Sequence, residues 1–396
     1  MIAKITGGFL NGSLSAIPSK SYVHRIAICN FLANESLDIC KEFRSNDIIA
    51  TLNCLNNIKQ GKTQLDVGES GSTLRFMLPF CAALGGQYSF AGHGKLMQRP
   101  NQELFEVLGA HGVKVWQEDK IFLDGKLSSG EFAIRGDISS QYVSGLLMAL
   151  PMLDGDSKIV LTTPLCSAPY VEITLEVLKA FGIEIERTDN GFNVRGNQTY
   201  RGGVKAEGDW SNMAFFLVGA AINGKVTVSG LNPDSAQGDR VILDILRLAG
   251  ATVTVNEKGI TVEKSKLKAF EFSASNCPDL VPIAAVLAAY ADGKSVIKDV
   301  ERLKIKESDR IVSTIAMLSG FGIRAESDGN SLVVYGGKPI KGMADSFNDH
   351  RLPMSAAMLA LGVEGESIIT DAQAVNKSYP TFFDDYAKVG GLVEYV

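Results

Sequence analysis

Five stretches of the chain decide its fold: SGSTLRFMLPFCAAL (70–84), SSQYVSGLLMALPML (139–153), DWSNMAFFLVGAAI (209–222), PDLVPIAAVLAAYA (278–291) and DHRLPMSAAMLALG (349–362). Each opens on a short polar string and runs into a helix that is apolar on every side, which requires burial within a layer of other elements. Counted from Ser70, Ser139, Asp209, Asp279 and Asp349, the intervals are 69, 70, 70 and 70 residues. A sixth string, SKSYVHRIAICNFLA from Ser19, heads a shorter first unit whose second helix lies near NDIIATLNCLNNI.

A second series has the same period. LFEVLGAHGVKVW, LEVLKAFGIEIE, ILRLAGATVTV, AMLSGFGIRAE and YAKVGGLVEYV each carry an amphipathic helix into glycine and then into an alternating strand. That places Gly112, Gly182, Gly250, Gly322 and Gly391 where a helix end needs positive φ. Their intervals are 70, 68, 72 and 69 residues. Two series with one period predict a repeat, and six units of about 66 residues account for the chain. Each unit reads as strand, buried helix, strand, amphipathic helix and a closing pair of strands, as in QEDKIFLDGKLS and SDGNSLVVYGG.

The 396 residues are 45% hydrophobic and 21% charged, a globular composition long enough for two to three domains. Lys+Arg 39 against Asp+Glu 44 leaves −5, which argues against nucleic acid or a membrane surface as partner. Cys29, Cys40, Cys54, Cys81, Cys166 and Cys277 form no CxxC pair and read as reduced, buried thiols of a cytoplasmic protein. No run approaches the roughly 18 apolar residues of a membrane span, and MIAKITGGFLNGSLS lacks a basic leader. His24, His93, His111 and His350 stand in no ligand spacing, so no metal site is expected.

The chemistry lies where the buried helices begin. Helix N-termini offer free N–H groups and a positive dipole end, so a set converging on one space favours anions. Taken singly, each Ser or Asp is simply an N-cap. GxxxxGK[ST] is absent, GHGK is no GxGxxG, and Gly68-Glu69-Ser70-Gly71-Ser72 fails the GxSxG pattern at its last position. What remains is rich in cations: Ser19-Lys20-Ser21 with Arg25, Ser70-Gly71-Ser72-Thr73-Leu74-Arg75, Gln98-Arg99-Pro100, Lys306-Glu307-Ser308-Asp309-Arg310, Asp349-His350-Arg351 and Lys377-Ser378-Tyr379-Pro380. On their own, Lys306 and Arg310 also fit a solvated salt-bridge turn, Arg75 a structural clamp, Asp279 an N-cap, His350 a core histidine, and Tyr170 and Trp210 packing aromatics.

These strings in this order, from Pro18-Ser19-Lys20-Ser21 to Lys377-Ser378-Tyr379-Pro380, resemble the 5-enolpyruvylshikimate-3-phosphate synthases over almost the whole chain. The resemblance implies an α/β (α+β) fold, a two-domain inside-out α/β barrel of six βαβαββ units, three per domain, with buried helices. It implies a domain of 1–17 with 205–396, a second of 18–204, hinges near Pro18 and Lys205, and a site that closes over its substrates. The expected reaction transfers the enolpyruvyl group of phosphoenolpyruvate to the 5-hydroxyl of shikimate 3-phosphate and releases phosphate, with no cofactor and as a monomer.

Carried over by position, Lys20, Ser21 and Arg25 contact both substrates. Ser139, Ser140, Gln141, Ser167, Tyr170 and Lys306 fall on the shikimate 3-phosphate side. Gly71, Ser72, Arg99, Gln141, Arg310, His350, Arg351 and Lys377 fall on the phosphoenolpyruvate side, Asp279 and Glu307 match the acid–base carboxylates, and Lys20 is the third catalytic residue, a proton carrier with Glu307. The residue types suit the task. The substrates bring roughly −5 of charge, and planar guanidinium forks bind carboxylate and phosphate in pairs of bonds.

Departures from the family pattern are Glu69 where many members have Asn, Arg302 where an Asn often contacts shikimate, Phe383 for the usual Trp, and Leu352-Pro353 after His-Arg. The related UDP-N-acetylglucosamine enolpyruvyl transferases usually carry a loop cysteine before their arginine, and AGHGKLMQRP has none. A non-catalytic binder of phosphorylated metabolites would have no use for Asp279, Glu307 and Lys20 together.

Overall fold

The computed structural model describes residues 1–39 and 44–396, so Cys40 lies outside the described residues. The chain divides into two compact units, Met1–Ser19 with Glu207–Val396 and the contiguous Lys20–Ala206. Where the chain leaves and re-enters the first unit, its two segments run side by side. Ser19 N donates to Glu207 O at 2.7 Å and Asp209 N to Ile17 O at 2.8 Å.

Five four-stranded mixed sheets follow one pairing plan. In the sheet of Glu271–Ser273, Lys294–Lys298, Ala325–Ser327 and Ser331–Tyr335, the first strand pairs parallel with the second. The second pairs antiparallel with the fourth, and the fourth antiparallel with the third. The parallel pair needs a crossover, supplied by an all-apolar helix, here Val281–Ala289. The second helix, here Arg310–Gly320, leads to the closing hairpin. The same plan recurs around the helices Gly71–Leu84, Ser140–Ala149, Trp210–Asn223 and Arg351–Ala360.

One sheet is completed from the far end of the chain. Ala3–Thr6 pairs antiparallel with both Glu366–Thr370 and Leu392–Tyr395, and so serves as the fourth strand of the last unit. Likewise Leu10–Ser15 pairs in parallel with Gly224–Ser229, with the whole Lys20–Ala206 unit inserted between them.

In the first unit the helices 210–223, 281–289 and 351–360 pack on one another. Small residues set the spacing: a Cβ on Gly219 would meet Met358 Sδ at 2.5 Å. In the second unit, Pro79 inside the Gly71–Leu84 helix cannot donate to Arg75 O. That carbonyl faces Gly145 of the neighbouring helix, where an added Cβ would come within 2.6 Å. Two close-packed helix sets thus form the cores, with sheets on their flanks.

Four details depart from the sequence reading. Each sheet keeps two edge strands, so among the described residues no hydrogen-bonded barrel closes. The first of the six expected repeats does not show the plan: residues 20–59, in the second compact unit, hold the helices Lys20–Leu32 and Asn46–Lys59, and no strand is formed there among the described residues. The last glycine is misplaced by one. Gly112, Gly182, Gly250 and Gly322 have φ between +74° and +90°, but in the fifth string it is Gly390 that has φ +93°. Gly391 is needed for space instead, since a Cβ there would sit 2.3 Å from the Tyr386 ring. Cys166 is half-buried, whereas Cys29, Cys54, Cys81 and Cys277 are buried as free thiols.

Candidate active site

In the first unit the site is built around Arg310, whose side chain is 1% exposed. It opens the Arg310–Gly320 helix, while Asp309 caps that helix by accepting from Ile311 N and Val312 N. The guanidinium donates from Nη1 to Asp279 Oδ1 at 2.7 Å, from Nη2 to Glu307 Oε2 at 2.7 Å and from Nε to Asp349 Oδ2 at 2.7 Å. A solvated turn is therefore excluded for Arg310. A planar fork is the side chain able to serve three carboxylates at once.

Asp279 is not an N-cap. It sits in the 3-10 turn Pro278–Leu280, and its second oxygen accepts from Arg351 Nη2 at 2.8 Å, with Lys306 Nζ 3.8 Å from the first. Burial favours its neutral form, yet Arg351, Lys306 and Arg310 hold its carboxyl well below the usual range. Asp279 is therefore an ionised, half-buried carboxylate that solvent still reaches, a state suited to accepting a proton. Burial pushes Lys306 down to about 8, opposed by Asp279 and reinforced by Arg310 and Arg302.

Asp349, a residue the sequence reading did not place in the site, orders this cluster. It is fully buried, accepts from Arg310 and Ser308, and takes Arg351 N at 3.1 Å. Its one visible signal was its place in the 70-residue series. His350 is 3% exposed, with Nδ1 3.9 Å from Asp349 Oδ1. Lys377 is buried, and its Nζ donates to Asn348 O at 2.5 Å. Phe347 and Asn348 both have positive φ, which turns that carbonyl toward the lysine.

The second unit carries its own polar set. Ser70 and Ser139 cap their helices, accepting from Thr73 N and Gln141 N, so Gly71, Ser72 and Ser140 lie in first turns with free N–H groups. Gln141 ties the two helices together by donating to Ser72 Oγ at 2.8 Å and accepting from Arg75 Nη1 at 2.8 Å. Arg75 also holds Asn101 Oδ1 and Pro100 O, which makes it a clamp on the segment carrying Arg99. Arg99 lies over Gly71, its Nη1 2.8 Å from where a Cβ would stand.

Lys20 Nζ is paired with Asp47 Oδ2 at 2.7 Å, a partner the sequence did not reveal. Arg25 is 2% exposed and spends its donors on Thr174 Oγ1, Ser144 Oγ, Tyr170 O and Ser21 O. The structure thus places its guanidinium on protein groups that include the backbone of Ser21 and Tyr170. Burial lowers Arg25 to about 10. Ser167 heads the Ala168–Ala180 helix at φ +55°, ψ +40°, a left-handed conformation rare for serine and common where a group is held for use. Trp210 is packed, with Nε1 on Asn232 O.

Among the described residues no group of His, Cys, Asp and Glu has the arrangement of a metal site, and no helix is long and apolar enough to cross a membrane. A family profile described as EPSP synthase (3-phosphoshikimate 1-carboxyvinyltransferase) matches residues 56–386. The chain belongs to the EPSP synthase family. Two proteins named 3-phosphoshikimate 1-carboxyvinyltransferase are similar over nearly their full length. The one from Clostridium novyi is 37% identical, covering 99% of this chain and 98% of that protein. The one from Clostridioides difficile is 35% identical over the same shares. The fold is shared with EPSP synthase from Acinetobacter baumannii, at TM-score 0.81, 23% identity and full coverage of both chains. It is shared too with the enolpyruvyl transferase NikO from Streptomyces tendae, at TM-score 0.76, 18% identity and 99% and 98% coverage.

Proposed function

We propose that the two polar sets serve one reaction and divide its labour. The reaction is that of the EPSP synthase family: the enolpyruvyl group of phosphoenolpyruvate moves to the 5-hydroxyl of shikimate 3-phosphate, and phosphate leaves. The observation that carries the assignment of roles is the ionised Asp279 held between Arg310, Arg351 and Lys306.

In this reading Asp279 takes the hydroxyl proton as the oxygen bonds to the enol carbon, and the methylene carbon gains a proton from Glu307 or Lys20. As phosphate departs, the methyl carbon gives a proton back to Glu307 or Lys20, and the proton taken from the hydroxyl is released to the leaving phosphate, so both groups return to their starting states. Arg99, Arg310, Arg351, His350, Lys377 and the N–H groups at Gly71 and Ser72 receive the phosphoenolpyruvate charges. Ser139, Ser140, Ser167, Gln141, Tyr170 and Lys306 receive shikimate 3-phosphate, with Lys20, Ser21 and Arg25 ordering both. The same proposal takes residues 1–17 with 205–396 and 18–204 as domains, with hinges near Pro18 and Lys205. The protein is then a cytoplasmic monomer. The five sheets represent five of six ancestral units of an inside-out barrel, and the helix pair in 20–59 is a sixth reduced to helices.

The test is phosphate release from phosphoenolpyruvate with shikimate 3-phosphate in one tube and UDP-N-acetylglucosamine in the other. Release in the first tube alone is expected. Release in the second alone, or in neither, overturns the reading. For the roles, Asp279→Ala lowers turnover by on the order of 10²-fold or more with KM values little changed, and turnover near wild type removes Asp279 from the chemistry.

A further inference from the structure

Asp239 is a buried carboxyl that the mechanism above leaves unused. It is 4% exposed and Oδ1 has no hydrogen-bond partner. A buried polar atom left unbonded is costly to a fold, so its presence calls for a reason. Its backbone is not free to turn the carboxyl outward. The turn Gly238–Val241 is fixed through Gln237, which donates to Gly208 O at 2.8 Å and accepts from Trp210 N at 3.2 Å. On the outer side Arg240 donates to Pro233 O and stays exposed.

The charged neighbours of Asp239 come from three other elements. Asp279 and Cys277, in the segment leading into the 281–289 helix, and Arg351, on the 351–360 helix, are its electrostatic neighbours. Asp209 and Ser211 face it from the start of the 210–223 helix. Asp209 is committed to capping Asn212 N, and Ser211 Oγ makes no bond of hydrogen-bond length. Burial first, and then the Asp279 carboxylate, raise Asp239 to about 7, with Arg351 opposing. Two carboxyls that act on one another, one buried and one half-buried, resist ionising together, so they titrate as a coupled pair.

This bears on a difficulty in the cluster itself. Three cations around Asp279 make it ionised but weaken it as a base, because the same charges oppose its taking a proton. We propose that Asp239 is a positioning residue for the transferase reaction, its negative charge restoring to Asp279 the proton affinity that Arg310, Arg351 and Lys306 remove. It touches no substrate and acts through Asp279, so the proposal rests on Asp279 being the partner of the hydroxyl. The proton path is unchanged: the hydroxyl proton goes to Asp279, and Asp239 supplies only its field.

Asp239→Asn keeps the shape and removes the charge. In wild-type enzyme, turnover rises through an inflection near neutral pH as Asp239 ionises. Asp239→Asn loses that inflection and at pH 8 turns over roughly tenfold or more slowly, with both KM values within about threefold. Asp239→Glu restores the inflection, which a purely structural role would not require. A second readout needs no catalysis. A carboxyl raised in the folded state binds its proton more tightly there than in the unfolded chain. Wild type therefore loses this stabilisation as pH climbs from about 4 toward 7, and the melting temperature of Asp239→Asn gains on wild type from pH 5 to pH 8.

An Asp239→Asn enzyme that keeps the inflection and its pH 8 turnover overturns the proposal, as does a melting difference that stays flat with pH. If Asp239→Asn does not fold, wild type and Asp239→Glu decide, and a wild-type profile without an inflection between pH 6 and 8 overturns it. Asp279→Ala is the control: if it stays active, the assignment of Asp279 fails, whereas an inactive Asp279→Ala beside an unaffected Asp239→Asn removes Asp239 alone.

Discussion

Gly71→Ala separates the proposed anion-binding role of the second unit from its stability. Gly71 opens the Gly71–Leu84 helix, and a Cβ there would stand 2.8 Å from Arg99 Nη1, 3.2 Å from Cζ and 3.4 Å from Nη2. Ordinary contact begins near 3.4 Å, so the guanidinium must retreat by about 0.6 Å. It is the end of a flexible side chain and can do so. Gly71 does not have positive φ, and alanine suits a helix better than glycine by up to about 1 kcal/mol, so the melting temperature changes little. The loss falls on binding. A shift of about 0.6 Å takes a charge-assisted bond out of its range, and such bonds contribute about 1.5–3 kcal/mol. That predicts a rise in KM for phosphoenolpyruvate of roughly 10- to 150-fold. KM for shikimate 3-phosphate should stay within about twofold, read by phosphate release with each substrate varied in turn. An unchanged KM for phosphoenolpyruvate, or a parallel rise in both, refutes the reasoning that Arg99 over Gly71 is the anion ligand.

Arg310→Met leaves Asp279, Glu307 and Asp349 without their shared cation, and should destabilise the protein by about 3–5 kcal/mol in denaturant melts. Lys306, lowered to about 8, loses its charge as pH rises through that value, so KM for shikimate 3-phosphate should climb above pH 8 and stay level in Lys306→Arg. Gly391→Ala forces a methyl against the Tyr386 ring and should cost about 1–3 kcal/mol by thermal melting without altering either KM.

The repeat was legible because it is written in local patterns: apolar helices at one period, glycines at helix ends, alternating strands. What local pattern does not carry is which distant carboxylate meets which cation. Ser70, Ser139 and Asp209 do cap their helices, as nearest-neighbour reasoning expects. Asp279 breaks that rule because Arg310 and Arg351, 31 and 72 residues away, draw its carboxylate off. Lys306-Glu307-Ser308-Asp309-Arg310 is indistinguishable in sequence from an exposed turn until Asp349 is known to lie beneath it. Arg25 is a plain cation in sequence, and only Thr174, Ser144 and the Tyr170 carbonyl, more than a hundred residues on, show that its donors are taken. The shift from Gly391 to Gly390 has a simpler cause, since two adjacent glycines offer either position and the Tyr386 ring chooses between them.

The way Ala3–Thr6 is held between Glu366–Thr370 and Leu392–Tyr395 has a consequence in time. Residues 20–206 are contiguous and have every sheet partner in hand once Ala206 has been made. The first strands, made earliest, wait longest. Leu10–Ser15 has no partner until Gly224–Ser229 emerges, and Ala3–Thr6 none until Glu366–Thr370 is made. At about 5–20 residues per second, that delay after residue 206 is on the order of ten to forty seconds. During it Ala3 and Ile5, destined for the core, remain uncovered on an unpaired strand, as Leu10 and Leu14 do for the shorter time until Ser229 is made. Over that interval Ala3–Thr6 is an open edge for another chain to pair with, and Glu366–Thr370 and Leu392–Tyr395 close it from both sides.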